Sequence, residues 1–148
     1  MSCPPRLEAL LAATLSPDNS IRRAAEEELK LATRQRGFAC AVAFRLARSN
    51  QVSDGVSAAS EGATRLMSGV VLQHYVKDVW KGADDALLPQ ADKEQVQRLM
   101  LGTMADGGAP RKIRTSAALV IALIAASGEW PSAWPDLVPL LVGQLAEA

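Results

Sequence analysis

The chain has 148 residues, of which 49% are apolar and 22% charged, enough to bury a sizeable core in one domain or in one segment of a larger array. Its 16 basic and 16 acidic side chains cancel, which excludes the overall positive charge expected of a nucleic-acid binder. Two cysteines, Cys3 and Cys40, with a single histidine exclude a zinc finger and argue against a disulfide framework.

Only 4% of the residues are aromatic while Ala and Leu are abundant, a balance that favours helix over strand. Arg6 and Glu8 interrupt the N-terminal residues, so they make a poor signal peptide. A first amphipathic helix is predicted after Pro4-Pro5 from Leu7, Leu10, Leu11 and Leu15 at helical spacing. Ser16-Pro17-Asp18-Asn19 breaks it and offers caps for a second helix, with Ile21, Ala25, Leu29 and Ala32 as its buried stripe and Glu26, Glu27 and Glu28 exposed. So short a connection predicts an antiparallel helical hairpin.

The pattern repeats with a third helix over 38–48, a polar loop over 49–58, and a fourth helix striped by Ala63, Leu66, Met67, Val70, Val71 and His74 or Tyr75. Lys81-Gly82 stops it just after Trp80. Asp92 is expected to cap a fifth helix carrying Val96, Leu99, Met100 and Met104, which Asp106-Gly107-Gly108 ends. A sixth helix from Pro110 buries Ile113, Ala117, Val120, Ile121 and Ile124. The apolar run 117–126 is ten residues long, about half of the ~20 that span a bilayer. A corner of two Trp-Pro pairs, Trp130-Pro131 and Trp134-Pro135, follows, because a residue before proline is pushed out of the α region. The seventh helix carries Leu137, Leu140, Leu141 and Leu145.

Three hairpins and a further helix imply an internal repeat. Arginine stands near the start of each second helix, at Arg22, Arg65 and Arg114, spacings of 43 and 49 residues counted along the sequence, close to the period of about 40 to 47 of HEAT and armadillo arrays. The expected fold is therefore all-α, a right-handed α-α superhelix of HEAT or armadillo type. Its repeats fall at about 5–34, 37–81 and 91–128, with the start of the next at 132–148. Because each hairpin buries its apolar face only against neighbours, the segment is expected to be the N-terminal piece of a longer solenoid.

Three stretches together resemble the importin-β (karyopherin-β) nuclear transport receptors, most nearly the branch that contains importin nine. They are Leu15-Ser16-Pro17 with Ile21-Arg22-Arg23-Ala24-Ala25-Glu26-Glu27; Val70 through Trp80; and Ile113-Arg114-Thr115-Ser116-Ala117 running on to Trp130-Pro131-Ser132-Ala133-Trp134-Pro135-Asp136-Leu137. The resemblance implies a receptor that carries protein cargo, including basic cargo of histone-like or ribosomal type, between cytoplasm and nucleus under control of the GTPase Ran. It implies that Ran-GTP meets the surface of the second helices, here Arg65, Ser68, Gln73, Lys77 and Asp78 on the fourth helix and Arg111, Lys112, Thr115 and Ser116 on the sixth. Gln73 stands where the family often has lysine, which removes a charge from that surface. Nucleoporins would be met mainly by later repeats.

Trp80, Trp130 and Trp134, with Pro131 and Pro135, read as staples between hairpins rather than as anchors for nucleoporin repeats. The lone His74 lacks partners for metal binding or catalysis. Residues 110–114, Pro-Arg-Lys-Ile-Arg, read as a solvated helix start rather than a localisation signal. Gly107-Gly108 lacks the lysine and strand of a phosphate loop. No catalytic constellation and no cofactor motif is present, and neither a membrane nor nucleic acid is an expected partner. A HEAT or armadillo scaffold unrelated to Ran is the alternative.

Overall fold

The computed structural model describes residues 5–48, 58–129 and 137–147. Helices account for nearly all of them: α1 (Pro5–Ala13), α2 (Asn19–Ala32), α3 (Phe38–Ala47), α4 (Ala58–Asp78), α5 (Gln90–Ala105), α6 (Arg111–Ile124) and α7 (Leu137–Glu147). A 3-10 turn, Trp80–Gly82, follows α4 and a π turn, Ala125–Glu129, follows α6. No strand occurs among the described residues. The Trp130-Pro131 and Trp134-Pro135 corner lies outside them.

Local chemistry sets most helix ends. Asp18 caps α2, its carboxylate accepting from the Ser20 and Ile21 amides at 2.8 and 3.3 Å, a device whose removal costs about 1 kcal/mol. Gly37 precedes α3 at φ +87°, a left-handed turn open to glycine. Asp106 closes α5 by accepting from the Gly108 amide at 2.9 Å. The expected cap at Asp92 is not there: α5 begins two residues earlier at Gln90, behind Pro89, whose carbonyl already accepts from the Asp92 and Lys93 amides. A proline supplies the extended entry and leaves Asp92 within the first turn, where its negative charge suits the helix dipole.

The helices pair as α1 with α2, α3 with α4 and α5 with α6, and the second and third hairpins stack with α3 on α5 and α4 on α6. This is the layering of an all-α, HEAT-like solenoid. Leu11, Val42, Leu46, Leu72, Trp80, Val96, Met100, Val120 and Ile124 are fully buried between the layers, each contributing roughly 1.5–3 kcal/mol by leaving water. The α6 stripe is buried at all five expected positions, Ile113, Ala117, Val120, Ile121 and Ile124. Trp80 is enclosed, with the Lys93 ammonium 5.8 Å from its ring centroid. Leu137 of α7 is buried, whereas Val138 and Val142 face outward.

Two expected stripes are corrected. In α2 only Ala25 and Leu29 are buried, and Ile21 is 50% exposed. In α4 the apolar positions Ala63, Val70 and His74 are exposed and Leu66, Met67 and Val71 half-buried. The buried face carries Glu61, Thr64, Arg65, Ser68 and Gly69 before it turns apolar at Leu72, Tyr75 and Val76. Polar pairing and a close backbone approach, rather than hydrophobic count, rotate this helix.

Arg45 holds the Glu61 end of that face. It lies 1% exposed within the otherwise apolar α3, and its guanidinium is gripped from two sides. Nε donates to both Glu8 carboxylate oxygens at 2.9 and 2.8 Å, and Nη1 and Nη2 donate to Glu61 at 2.8 and 2.6 Å. One cation thus ties α1, α3 and α4 together. Burial opposes its charge, but the hydrogen bonds and charges of Glu61 and Glu8 outweigh this and hold Arg45 above the usual arginine value.

Candidate partner-binding surface

The nine residues assigned to a Ran-facing surface fall into two groups once α4 and α6 are packed. Lys77, Asp78, Arg111, Lys112 and Thr115 are exposed. Arg65, Ser68 and Ser116 are buried and Gln73 is half-buried, so the expectation that all of them face a partner is corrected for these four.

Each of the four has an internal task. Arg65 reaches back onto the end of α3, Nε donating to the Leu46 carbonyl at 2.8 Å and Nη2 to that of Ala47 at 3.0 Å. It thereby satisfies carbonyls that a helix end leaves open. Burial, and then the nearby Arg45 charge, lower its pKa from the arginine norm, with Glu61 and Asp106 pulling the other way. Ser68 Oγ donates to the Arg65 carbonyl at 2.5 Å. Gln73 Nε2 donates across to Ser116 Oγ at 3.3 Å, so this amide is a rivet between α4 and α6.

Gly69 makes that crossing possible. A Cβ at this position would fall inside the Ser116 hydroxyl and within 3.2 Å of Ser116 Cβ and 3.3 Å of Leu46 Cδ1. Glycine is required here for close approach, not for an unusual φ.

The exposed residues do not form one cluster. Lys77 lies eight residues beyond Gly69 along α4, and Lys112 four residues before Ser116 on α6. At 1.5 Å per residue, and with α4 and α6 side by side in the same direction, the two ammonium-bearing positions are offset by about 18 Å along the helix axes. A partner touching both must span about 18 Å, the reach of one face of a folded domain or of about six residues of extended chain. Arg111 and Lys112 open α6 behind Pro110, with no side-chain cap and no acidic residue in the first turn. Cations at a helix start oppose the macrodipole, so this turn is electrostatically suited to an acidic neighbour. Arg114, the third arginine of the repeat, differs from Arg65: its Nε is buried without a partner.

Beside α4 runs a groove of about 640 Å³, with Leu29 and Lys30 of α2 and the following Thr33 on one wall and Met67, Val70 and Val71 of α4 on the other. The sequence pattern assigned these apolar residues to the core. Arg45 and its two carboxylates were missed altogether, although a lone arginine inside the run Phe-Ala-Cys-Ala-Val-Ala-Phe-Arg-Leu-Ala is itself a signal of a buried ion pair.

His74 is exposed on the groove wall. No group of three metal-ligating side chains occurs among the described residues, and none of the described helices is long and apolar enough to cross a membrane. Burial, then the Asp92 charge, pushes the Cys40 thiol up to about 11, which makes it inert rather than nucleophilic at neutral pH.

No protein-family model matches the chain. Among curated proteins, the chain is 29% identical over 150 residues to Importin subunit beta-1 of Schizosaccharomyces pombe, an alignment covering 93% of this chain. The chain spans only 16% of the length of that relative. The likeness is to the importin-β type in general and carries no support for the importin-nine branch. The chain is thus an importin-β-like helical segment, similar to part of a transport receptor.

Proposed function

We propose that this chain is a Ran-binding segment of an importin-β-type nuclear transport receptor. Ran in its GTP form docks on the exposed parts of α4 and α6, at Lys77, Asp78, Arg111, Lys112 and Thr115. The observation that carries this reading is the likeness to Importin subunit beta-1 over 93% of the chain. The division of the α4–α6 face into buried rivets and exposed charges adds a physical selection of residues.

In this reading no bond is made or broken. Ran-GTP and protein cargo compete through coupled binding, and shuttling between cytoplasm and nucleus follows from that exchange. Basic proteins, of histone-like or ribosomal type, are the cargo class, and nucleoporins are met by repeats beyond this segment.

The test is retention of purified Ran on the immobilised chain, loaded with a non-hydrolysable GTP analogue or with GDP. Preference for the GTP form is expected, and the pair Lys77→Glu and Lys112→Glu should lower it by about tenfold or more without lowering the melting temperature, since exposed charges steer association and contribute little to folding. Equal retention of both nucleotide forms would count decisively against the reading.

A further inference from the structure

Ser16-Pro17 is the one place in the sequence where a serine or threonine precedes proline. The structure puts it outside both helices of the first hairpin, since α1 ends at Ala13 and α2 starts at Asn19. Proline pushes Ser16 toward an extended backbone and leaves no N–H on the residue after it. Asp18, with φ −76° and ψ 117°, continues in the extended region. Leu15 is 41% exposed, and Pro17 and Asp18 are exposed.

Helix punctuation explains Pro17 and Asp18 but not Ser16. Pro17 keeps α1 from running on, and the Asp18 carboxylate caps α2. Ser16 Oγ accepts from the Asp18 amide at 3.1 Å, a turn contact that the cap itself does not use. From the other side the Leu15 and Ser16 amides donate to the Ala12 and Ala13 carbonyls at 3.1 Å each. Those bonds belong to a helix end, where local opening costs least.

A guanidinium is already in place beside the serine. Arg22 Nη1 lies 3.4 Å from the Ser16 carbonyl oxygen, and Nη2 contacts the Asn19 side-chain oxygen. Both partners are neutral, and no carboxylate pairs with Arg22 among the described residues. Arg23 is exposed next to it. The first turn of α2 holds no acidic residue, and the Asp18 carboxylate is turned onto the Ser20 and Ile21 amides.

We propose that Ser16 is a phosphorylation site for a proline-directed serine/threonine kinase and that Arg22 receives the phosphate. Ser16 Oγ attacks the γ-phosphorus of Mg-ATP and the bond to the β,γ-bridging oxygen breaks. ADP leaves, and the hydroxyl proton passes to the catalytic aspartate of the kinase. Pro17 suits such an enzyme because its nitrogen asks for no hydrogen bond. The new group brings a charge of about −1.5 to −2, with its oxygens two bonds beyond Oγ on a residue whose carbonyl Arg22 already contacts. Arg22 thus exchanges a neutral acceptor for an anion, and the clasp across the first turn becomes charge-assisted. The site is independent of what the α4–α6 surface binds.

The test incubates the folded chain and a synthetic peptide of residues 11–24 with Mg-ATP and, separately, a cyclin-dependent and a mitogen-activated kinase. One phosphoryl group per chain is expected, mapped to Ser16 by tandem mass spectrometry. Ser16→Ala should abolish it, and Pro17→Ala should slow it by about tenfold or more, the loss of one apolar pocket contact. Should Pro17→Ala disturb the fold, the same substitution in the peptide decides the proline requirement. Labelling of neither substrate by either kinase, labelling of the peptide but not the folded chain, or an unchanged rate in Ser16→Ala overturns the proposal. The phosphorylated chain should melt about 2–4 °C above the unmodified one, and the gain should vanish in Arg22→Gln. No rise in the parent, or an equal rise in Arg22→Gln, refutes Arg22 as the receiver.

Discussion

Replacing Arg45 by methionine is the sharpest perturbation the structure offers. Methionine keeps most of the apolar stem but strands two carboxylates, Glu61 at 10% and Glu8 at 31% side-chain exposure. Removing one partner of a buried ion pair costs about 3–5 kcal/mol, and the wetter Glu8 arm sets the value for this chain nearer the lower end of that span. At about 2–4 °C per kcal/mol for a domain of this size, the melting temperature should fall by about 6–20 °C. Thermal melts followed by circular dichroism, with urea midpoints at fixed slope, measure it. The triple variant Arg45→Met, Glu8→Leu, Glu61→Met should recover most of the loss, because an apolar replacement of similar volume needs no counter-charge. A single Arg45→Met variant within about 1 kcal/mol of the parent, or effects of the three substitutions that simply add, would refute the view of Arg45 as one cation serving two buried acids.

Gly69→Ala should destabilise the chain by about 1–3 kcal/mol through overpacking against Ser116 and Leu46, with Ser116→Gly in the same chain restoring part of it; unchanged urea midpoints in Gly69→Ala would show that α4 and α6 are not pressed together there. Alkaline pH should weaken the fold. Cys40 is raised from 9.0 to about 11, and burial followed by the charges of Cys40 and Asp92 raises Tyr75 from 10.0 to about 12. Both groups are held protonated in the native state, so their contribution is complete below pH 9 and is lost as pH rises toward 11 and 12. For Cys40 this amounts to roughly 2 kcal/mol by pH 10.5. Urea midpoints at pH 7.5, 9 and 10.5 should decline, and Cys40→Ala should flatten the first part of the decline; a level profile in the parent would contradict the burial of both groups.

Helix existence and order were legible because apolar periodicity and turn chemistry agreed at almost every boundary. Asp18 and the Asp106-Gly107-Gly108 turn each act within a few residues of themselves, and local effects are what a linear reading captures. The facing of α4 was not legible. Its apolar stripe and its buried face differ because Glu61 is claimed by Arg45, Arg65 by the end of α3 and Gly69 by Ser116, partners 16 to 47 residues distant in sequence. The same cause divides the candidate surface: Lys77 and Lys112 were recognisable as exposed charges, whereas the inward roles of Arg65, Gln73 and Ser116 depend on which helix lies alongside. Arg45 escaped because its two acids come from helices on either side of it, 37 residues before and 16 after.

The arginines that hinted at a repeat bear on how the chain folds. Arg22 Nη1 contacts the Ser16 carbonyl at 3.4 Å, and Arg65 clasps the carbonyls of Leu46 and Ala47. Arg22 joins α2 to the turn before it across 6 residues, and Arg65 joins α4 to the end of α3 across 18 to 19. Contacts so close in sequence close small loops and demand little chain entropy. The first two hairpins therefore carry their own clasps and can close before a neighbour arrives. The third holds Arg114 with its Nε unpaired, and α5 and α6 pack against α3 and α4 as well as against each other. The arginine spacing that marks the repeat in the sequence thus has a physical counterpart in two hairpins, and pulsed hydrogen exchange during refolding should show their amides protected no later than those of α5 and α6.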